Sequence, residues 1–108
     1  MARKKIPQPI RRTVKQYVSR LEKNGLPVQS AFIFGSYAKG NYHKWSDVDV
    51  CIISSALKRK RDPMAYLWRS KNNEDDNIML APVGFTPKDF VDESPLVWEI
   101  KRTGIRIK

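Results

Sequence analysis

Residues 34–50 of the chain read FGSYAKGNYHKWSDVDV. The segment opens at the end of an apolar run, Ala31 to Phe34, where a Gly-Ser pair predicts that a buried strand stops in a tight turn. After ten intervening residues, Asp47 and Asp49 alternate with valines in a second strand pattern. Because alternate residues of a strand share one face, we expect both carboxylates on one side of a sheet, about 7 Å apart along the chain.

The turn and the acidic pair have the chemistry of a site for a phosphate and a metal ion. Gly35 has no Cβ, so a ligand can approach the backbone there, and Ser36 adds a hydroxyl beside free backbone N–H groups. Lys39, close behind the turn, is a further candidate to contact a triphosphate. Asp47 and Asp49 are hard oxygen ligands that suit Mg²⁺ held jointly by the protein and a nucleotide.

Each part of this pattern also has an ordinary structural explanation. A Gly-Ser pair at a strand end is most often only a turn, and an Asp-x-Asp pair is most often a polar strand face. Here Phe34, Val48 and Val50 place the acids beside a core, where two carboxylates repel each other unless a cation lies between them. The combination is therefore far more specific than its parts.

Outward from this segment, helical and strand patterns alternate. Residues 1–8 are basic and are interpreted as a frayed N-terminal arm, and residues 9–108 are interpreted as a single domain. The expected elements of that domain are a helix from Pro9 to the Asn24-Gly25 stop, strands over 28–34, 47–53 and 77–83, a helix within 54–70, a short helix opening at 86–89, a helix over 95–102 and an edge strand over 105–107. This order predicts an α/β (α+β) fold, a small mixed sheet flanked by helices.

Length and composition limit the class of protein. A chain of 108 residues with 41% hydrophobic residues fits one domain with a modest core. It has no apolar run of the roughly 18–20 residues that a membrane span needs, and no apolar stretch typical of a signal peptide. Cys51, the single cysteine, excludes an internal disulfide and is expected to be buried. We therefore expect a cytoplasmic protein with no membrane contact.

The formal net charge of +10 makes nucleic-acid binding an obvious hypothesis. Residues 1–25 carry eight Lys or Arg against one acid, and Lys58–Arg61 forms a second block, whereas residues 26–57 are neutral. The basic blocks thus flank the segment that carries the specific chemistry. Because such runs are also typical of solvated surface, nucleic-acid binding through them stays one alternative.

The combination of motifs resembles a known family. Gly35-Ser36 followed by Asp47-Val48-Asp49 is similar to the signature of the DNA polymerase β-type nucleotidyltransferase superfamily, and within it to the single-domain minimal nucleotidyltransferases. Residues 81–90 and 99–107 are similar to the C-terminal half of that family. The resemblance extends from about Pro9 to Ile107, nearly the whole chain.

The resemblance implies transfer of a nucleoside monophosphate from an NTP, with ATP expected, to a hydroxyl acceptor. Gly35, Ser36 and Lys39 would bind the triphosphate, and Asp47 and Asp49 would bind two Mg²⁺ ions. The acceptor implied by the family is a tyrosine of a helical HEPN-type toxin, so that the chain would act as an antitoxin. Because one small domain has little room for an acceptor site of its own, we also expect a homo- or hetero-oligomer.

One position departs from the family pattern. The superfamily uses a third carboxylate on a later strand, and the matching positions here, Asn77, Met79 and Ala81, are not acidic. Ala81 precedes a proline where relatives carry Glu, and Asp76 would turn inward only after a one-residue shift of the strand. Two alternatives therefore accompany the enzyme: a catalytically weak antitoxin that binds and masks its partner, and a basic nucleic-acid-binding module.

Overall fold

The computed structural model describes residues 5–91 and 94–108. The helices in this part of the chain are α1 (Gln8–Lys23), α2 (Ser36–Lys39), α3 (Pro63–Arg69), α4 (Asn73–Asn77) and α5 (Pro95–Thr103), and the strands are β1 (Ser30–Phe34), β2 (Val48–Ile53), β3 (Leu80–Phe85) and β4 (Ile105–Arg106). A short 3-10 helix, Ser55–Arg59, links β2 to α3. No helix within the described ranges is both long and apolar enough to cross a membrane.

The strands form one mixed sheet in the order β3-β2-β1-β4. β1 runs antiparallel to β2 and to β4, whereas β2 and β3 are parallel. The register pairs Asp49 of β2 with Phe34 on one side and with Ala81 on the other. The predicted α+β fold, a small mixed sheet flanked by helices, is confirmed.

α1 covers one face of the sheet because its apolar residues recur at helical spacing. The buried residues that it shares with alternate positions of β1 and β2 are Val14, Tyr17, Val18, Leu21, Ala31, Ile33, Val48, Val50 and Ile52. The Tyr17 hydroxyl donates to the Leu67 carbonyl at 2.7 Å, which ties α1 to α3. Arg20 and Lys23 lie in the last turn of α1, where positive charge stabilises the helix C-terminus.

α5 covers the opposite face of the sheet. Phe34, Cys51, Ile53 and Ile100 form a second buried cluster on that side. Since alternate residues of β2 share a face, Asp49 also lies on the α5 side of the sheet. Cys51 is buried as expected, and this burial raises the pKa of its thiol to about 12.

The N-terminal residues differ from the expected frayed arm. Residues 1–4 lie outside the described part of the chain. Ile6, however, is buried in the main core, and the Lys5 carbonyl accepts a hydrogen bond from the Tyr42 hydroxyl at 2.7 Å. α1 begins at Gln8, one residue before the expected start. The prediction of a frayed arm is therefore wrong for residues 5–8, because Ile6 finds an apolar contact in the fold.

The third strand begins later in the structure than the predicted range of 77–83. The chain is helical as far as Asn77, and β3 begins at Leu80. Asn72 and Asp75 form a reciprocal capping box that starts α4, and Asp75 is buried in an ion pair with Arg20 of α1. These contacts favour a helical turn over a strand at residues 73–77, and the prediction that Asn77 is a strand position is wrong.

The C-terminal segment confirms two predictions and corrects one. α5 spans the expected final helix, and β4 pairs with β1 at the sheet edge. The expected short helix at 86–89 is a turn, in which Thr86 Oγ1 accepts the Asp89 N–H at 3.2 Å. After this turn, Phe90 packs on Phe32, with ring centroids 6.1 Å apart, and the chain does not go on into a helix.

Candidate active site

Gly35 lies directly against the carboxylate of Asp49. Its φ of 73° and ψ of −148° belong to a region that residues with a Cβ rarely adopt. A Cβ built on Gly35 would overlap Asp49 Oδ2 and would lie 3.2 Å from Asp49 Cγ. Both the backbone conformation and the space therefore require glycine at this position. The predicted proximity of the Gly-Ser turn and the acidic strand is a feature of the structure.

α2 begins at Ser36, immediately after Gly35, and is a single turn long. The Lys39 N–H donates to the Gly35 carbonyl at 3.0 Å, and the Gly40 N–H donates to the Ser36 carbonyl at 3.0 Å. Because the first amides of a helix have no acceptor within it, the amides of residues 36–38 are available beside the Ser36 hydroxyl. Tyr37 stacks on Tyr42 at 4.3 Å between ring centroids, which holds this turn in place.

Asp47 immediately precedes β2 and is exposed, whereas Asp49 is the second residue of β2 and is partly buried. Burial and then the negative charges of Asp47 and Glu99 raise the pKa of Asp49 to about 6, while Lys39 acts in the opposite direction. Burial and neighbouring negative charges both disfavour the ionised form of a carboxyl group, whereas a nearby cation favours it. The acidic pair thus has the electrostatics of a cation site.

Glu99 is a member of this site to which we assign no role from the sequence. Its Oε1 lies 3.0 Å from the Lys39 ammonium, so an ion pair joins α5 to α2. The Glu99 and Lys39 side chains are 35% and 39% exposed, respectively. In the sequence, the signal for Glu99 is its position beside Ile100. Ile100 belongs to the apolar face of α5, which packs on the sheet.

The candidates for a third carboxylate do not supply one. Ala81 is the register partner of Asp49, so it holds the expected position on β3 with only a methyl group. Asn77 lies in α4, and Asp76, also in α4, is exposed and pairs with Lys71 at 3.0 Å. Across residues 5–91 and 94–108, no group of three or more His, Cys, Asp or Glu side chains could hold a metal ion.

The donor set nevertheless fits a divalent cation that is shared with a substrate. Two aspartate carboxylates are hard oxygen ligands, and Mg²⁺ is commonly bound by one or two carboxylates together with substrate phosphates and water. The raised pKa of Asp49 and the position of Gly35 against it are the structural observations that agree with such a cation. Asp47 and Asp49 are the residues that would hold it.

The loop between α2 and β2 is held by local hydrogen bonds. The His43 N–H donates to Ser46 Oγ at 2.9 Å, and His43 Nδ1 accepts the Trp45 N–H at 3.2 Å. Ser46 is buried and immediately precedes Asp47. His43 therefore shapes the loop that leads into the acidic pair, through its backbone and one ring nitrogen.

Comparison with known proteins identifies the class. The chain belongs to the family of nucleotidyltransferase domains: the model of that family matches residues 11–103, which include the Gly-Ser turn and the acidic pair. No curated protein sequence matches the chain. The resemblance inferred from Gly35-Ser36 and Asp47-Val48-Asp49 is therefore confirmed at the level of the family.

Solved structures share the fold over most of their length. A proposed nucleotidyltransferase from Sulfolobus solfataricus has a TM-score of 0.61 at 17% identity, with 90% of this chain and 78% of that chain covered. A chain of a mutant toxin-antitoxin MntA-HpeT has a TM-score of 0.56 at 16% identity, covering 86% and 70%. A chain of a toxin-antitoxin structure with AMP-PNP has a TM-score of 0.55 at 18% identity, covering 87% and 72%. At these low identities, the TM-scores establish a shared fold.

Proposed function

We propose that the protein transfers a nucleoside monophosphate, with ATP as the expected donor, to a hydroxyl group on a partner toxin and thereby acts as an antitoxin. The observation that carries the proposal is the contact between Gly35 and Asp49. It joins a turn with free amides to a pair of carboxylates that favours a bound cation.

In the proposed reaction, the amides that follow Gly35 and the hydroxyl of Ser36 bind the triphosphate, and Lys39 adds a positive charge one helical turn away. Asp47 and Asp49 would hold Mg²⁺, which when bound supplies positive charge to the reacting phosphate and the leaving pyrophosphate. Asp49 must be ionised for this role, and the raised pKa of its carboxyl group in the metal-free protein means that binding of the cation competes with a proton.

The partner is proposed to be a helical HEPN-type toxin whose tyrosine receives the nucleotide. Two similar folds occur in toxin-antitoxin structures, and one of those structures contains AMP-PNP, an ATP analogue. Large apolar side chains are exposed on and near α5, among them Leu96 at 37% and Trp98 at 51%. Exposed aromatic and aliphatic residues beside the site suit contact with a second protein.

A second candidate function is an antitoxin that binds and masks its partner with little or no transfer. Ala81 favours it, because the methyl group stands where the register of β2 and β3 would present a third carboxylate beside Asp49. Loss of a carboxylate that acts as a general base costs about 10²–10⁴-fold in rate. The two candidates share the partner and differ in chemistry, so one experiment separates them.

The experiment is to incubate the purified chain, ATP and Mg²⁺ with the product of the neighbouring gene, the candidate partner, and to measure the intact mass of that partner. We expect the partner to gain the mass of one nucleotidyl group, which is a nucleoside monophosphate less one water, while pyrophosphate is released. Asp49→Asn should abolish the gain, whereas Asp89→Asn, which changes an exposed acid in the turn after β3, should leave it intact. A stable complex with an unmodified partner would instead support the masking candidate.

A further inference from the structure

Lys39 is a proposed phosphate-binding residue, and its side chain forms an ion pair with Glu99. Lys39 Nζ lies 3.0 Å from Glu99 Oε1, although Lys39 is expected to meet a triphosphate. Both side chains are about one-third exposed or more, so the pair is solvated. Solvated pairs of this kind contribute little net stability, and a doubly charged phosphate can compete for the ammonium group.

The backbones on both sides of the pair are fixed. The Lys39 N–H is hydrogen-bonded to Gly35, the residue that lies against Asp49. Glu99 lies in α5, which is anchored by the buried side chains of Val97 and Ile100. Exchange of partners at Lys39 therefore needs rotation of side chains only.

A second partner for Glu99 lies on its own helix. Arg102 follows three residues later in α5, a spacing at which opposite charges are neighbours. Arg102 is exposed and stacks on Trp98, with its guanidinium 4.5 Å from the ring centroid. A groove of about 440 Å³ between α2 and α5 is lined by both members of the ion pair and by Trp98 and Arg102. The groove gives the side chains room to rearrange.

We propose that Glu99 is a positioning residue that keeps the ammonium group of Lys39 in an ion pair until a triphosphate displaces it. The ammonium group of Lys39 then moves from the Glu99 carboxylate to a phosphate oxygen, and Glu99 turns toward Arg102. Glu99 thus lowers the affinity for triphosphates and sets how readily one is retained. This inference rests on the proposed function, because it assumes that the site binds a nucleoside triphosphate.

The test is equilibrium binding of a non-hydrolysable ATP analogue with Mg²⁺, in comparison with adenosine, which has no phosphate. We expect Glu99→Gln to tighten binding of the analogue about three- to tenfold, since a solvated ion pair no longer has to break and one negative charge is removed. Binding of adenosine should not change. In a Lys39→Met background, the gain from Glu99→Gln should shrink, because the partner that Glu99 holds is absent.

Glu74→Gln is the matched control, since Glu74 is an exposed acid on α4 and its substitution makes the same change in net charge. It should leave the affinity for the analogue unchanged. Unchanged or weaker binding by Glu99→Gln, or an equal gain by Glu74→Gln, would overturn the inference while the proposed function stands. A wild-type protein that binds no triphosphate analogue would overturn both.

Discussion

Gly35 and Asp49 depend on each other at the scale of single residues. The positive φ of Gly35 turns the chain from β1 into α2, and the missing Cβ leaves the space that the Asp49 carboxylate fills. The glycine, the serine and the acidic pair could be predicted from the sequence because they belong to one local motif of seventeen residues, 34–50. Glu99 could not, since its contact with Lys39 joins positions 60 residues apart.

Substitution of Gly35 tests this dependence. Gly35→Ala should displace the Asp49 carboxylate and reduce nucleotidyl transfer by about 100-fold or more, because small displacements of catalytic groups are that costly. It should also lower the free energy of unfolding by about 1–2 kcal/mol through backbone strain. Gly25→Ala is a matched control: Gly25 has a φ of 97°, but a Cβ added there would have no atom within 4 Å, so strain is expected without loss of transfer. Equal activities of the two variants in the transfer assay would contradict the role of Gly35.

The raised pKa of Asp49 predicts a dependence on pH. Because the folded-state pKa of about 6 lies above the unfolded value of 3.8, the native state binds the proton more tightly. The contribution of this proton to stability is complete below about pH 4 and is lost as the pH rises through about 6. Asp49→Asn should therefore raise the free energy of unfolding at about pH 7.5, in chelator, by on the order of 1–2 kcal/mol after allowance for partial solvation.

Thermal unfolding of both proteins across this pH range checks the prediction. The difference between Asp49→Asn and the wild-type chain should disappear near about pH 4. At limiting Mg²⁺, nucleotidyl transfer by the wild-type chain should rise with pH through about 6, because the ionised carboxylate of the metal-free site is the form that binds the cation. A stability difference that stays constant from about pH 4 to about pH 7.5 would show that Asp49 ionises normally.

At the scale of elements, a long-range ion pair determines the secondary structure of a segment whose local sequence pattern is misleading. Helix α4 was not predictable from its residues alone, because its acidic run is typical of a turn before a strand. Its placement depends on Asp75, which is buried against Arg20 of α1, 55 residues away in the sequence. By contrast, α1, β2 and α5 could be predicted, since their apolar periodicity is strong over a full helix or strand.

Removal of Asp75 should therefore loosen this part of the fold. Asp75→Ala leaves Arg20 without its carboxylate partner and removes the capping box of α4. We expect a loss of about 2–3 kcal/mol in the free energy of unfolding, somewhat less than for a fully buried pair because Arg20 is 28% exposed. Thermal unfolding should show a Tm lower by about 8 °C or more. Glu74→Ala, which removes an exposed acid of α4, should change the Tm by no more than about a degree or two.

At the scale of the whole molecule, the basic groove along α1 and the proposed active site lie on opposite sides of the sheet. Asp49 and Glu99 lie on the α5 side, whereas a basic groove of about 580 Å³ runs along the outer face of α1 on the other side. Part of the net charge of +10 therefore lies away from the proposed triphosphate site. Nucleic-acid binding through the basic residues of α1 would take place at this groove, separately from nucleotidyl transfer.

Charge reversal on α1 tests this separation. Lys15→Glu combined with Lys23→Glu changes two exposed residues that line the basic groove. We expect nucleotidyl transfer to stay within about twofold of the wild-type rate at physiological salt, because charges beyond about 8 Å are largely screened. A fall of about tenfold or more in the transfer assay, with an unchanged Tm, would show that the α1 face takes part in the reaction.

The central claim is that the site formed by Gly35, Ser36, Asp47 and Asp49 moves the α-phosphate of a nucleotide to another protein. The most direct measurement compares label transfer to the partner from ATP labelled at the α-phosphate and from ATP labelled at the γ-phosphate. The account predicts Mg²⁺-dependent labelling from the α-position alone, which is lost in Asp47→Asn and Asp49→Asn. Labelling from the γ-position, or labelling from the α-position that survives both substitutions, would contradict it.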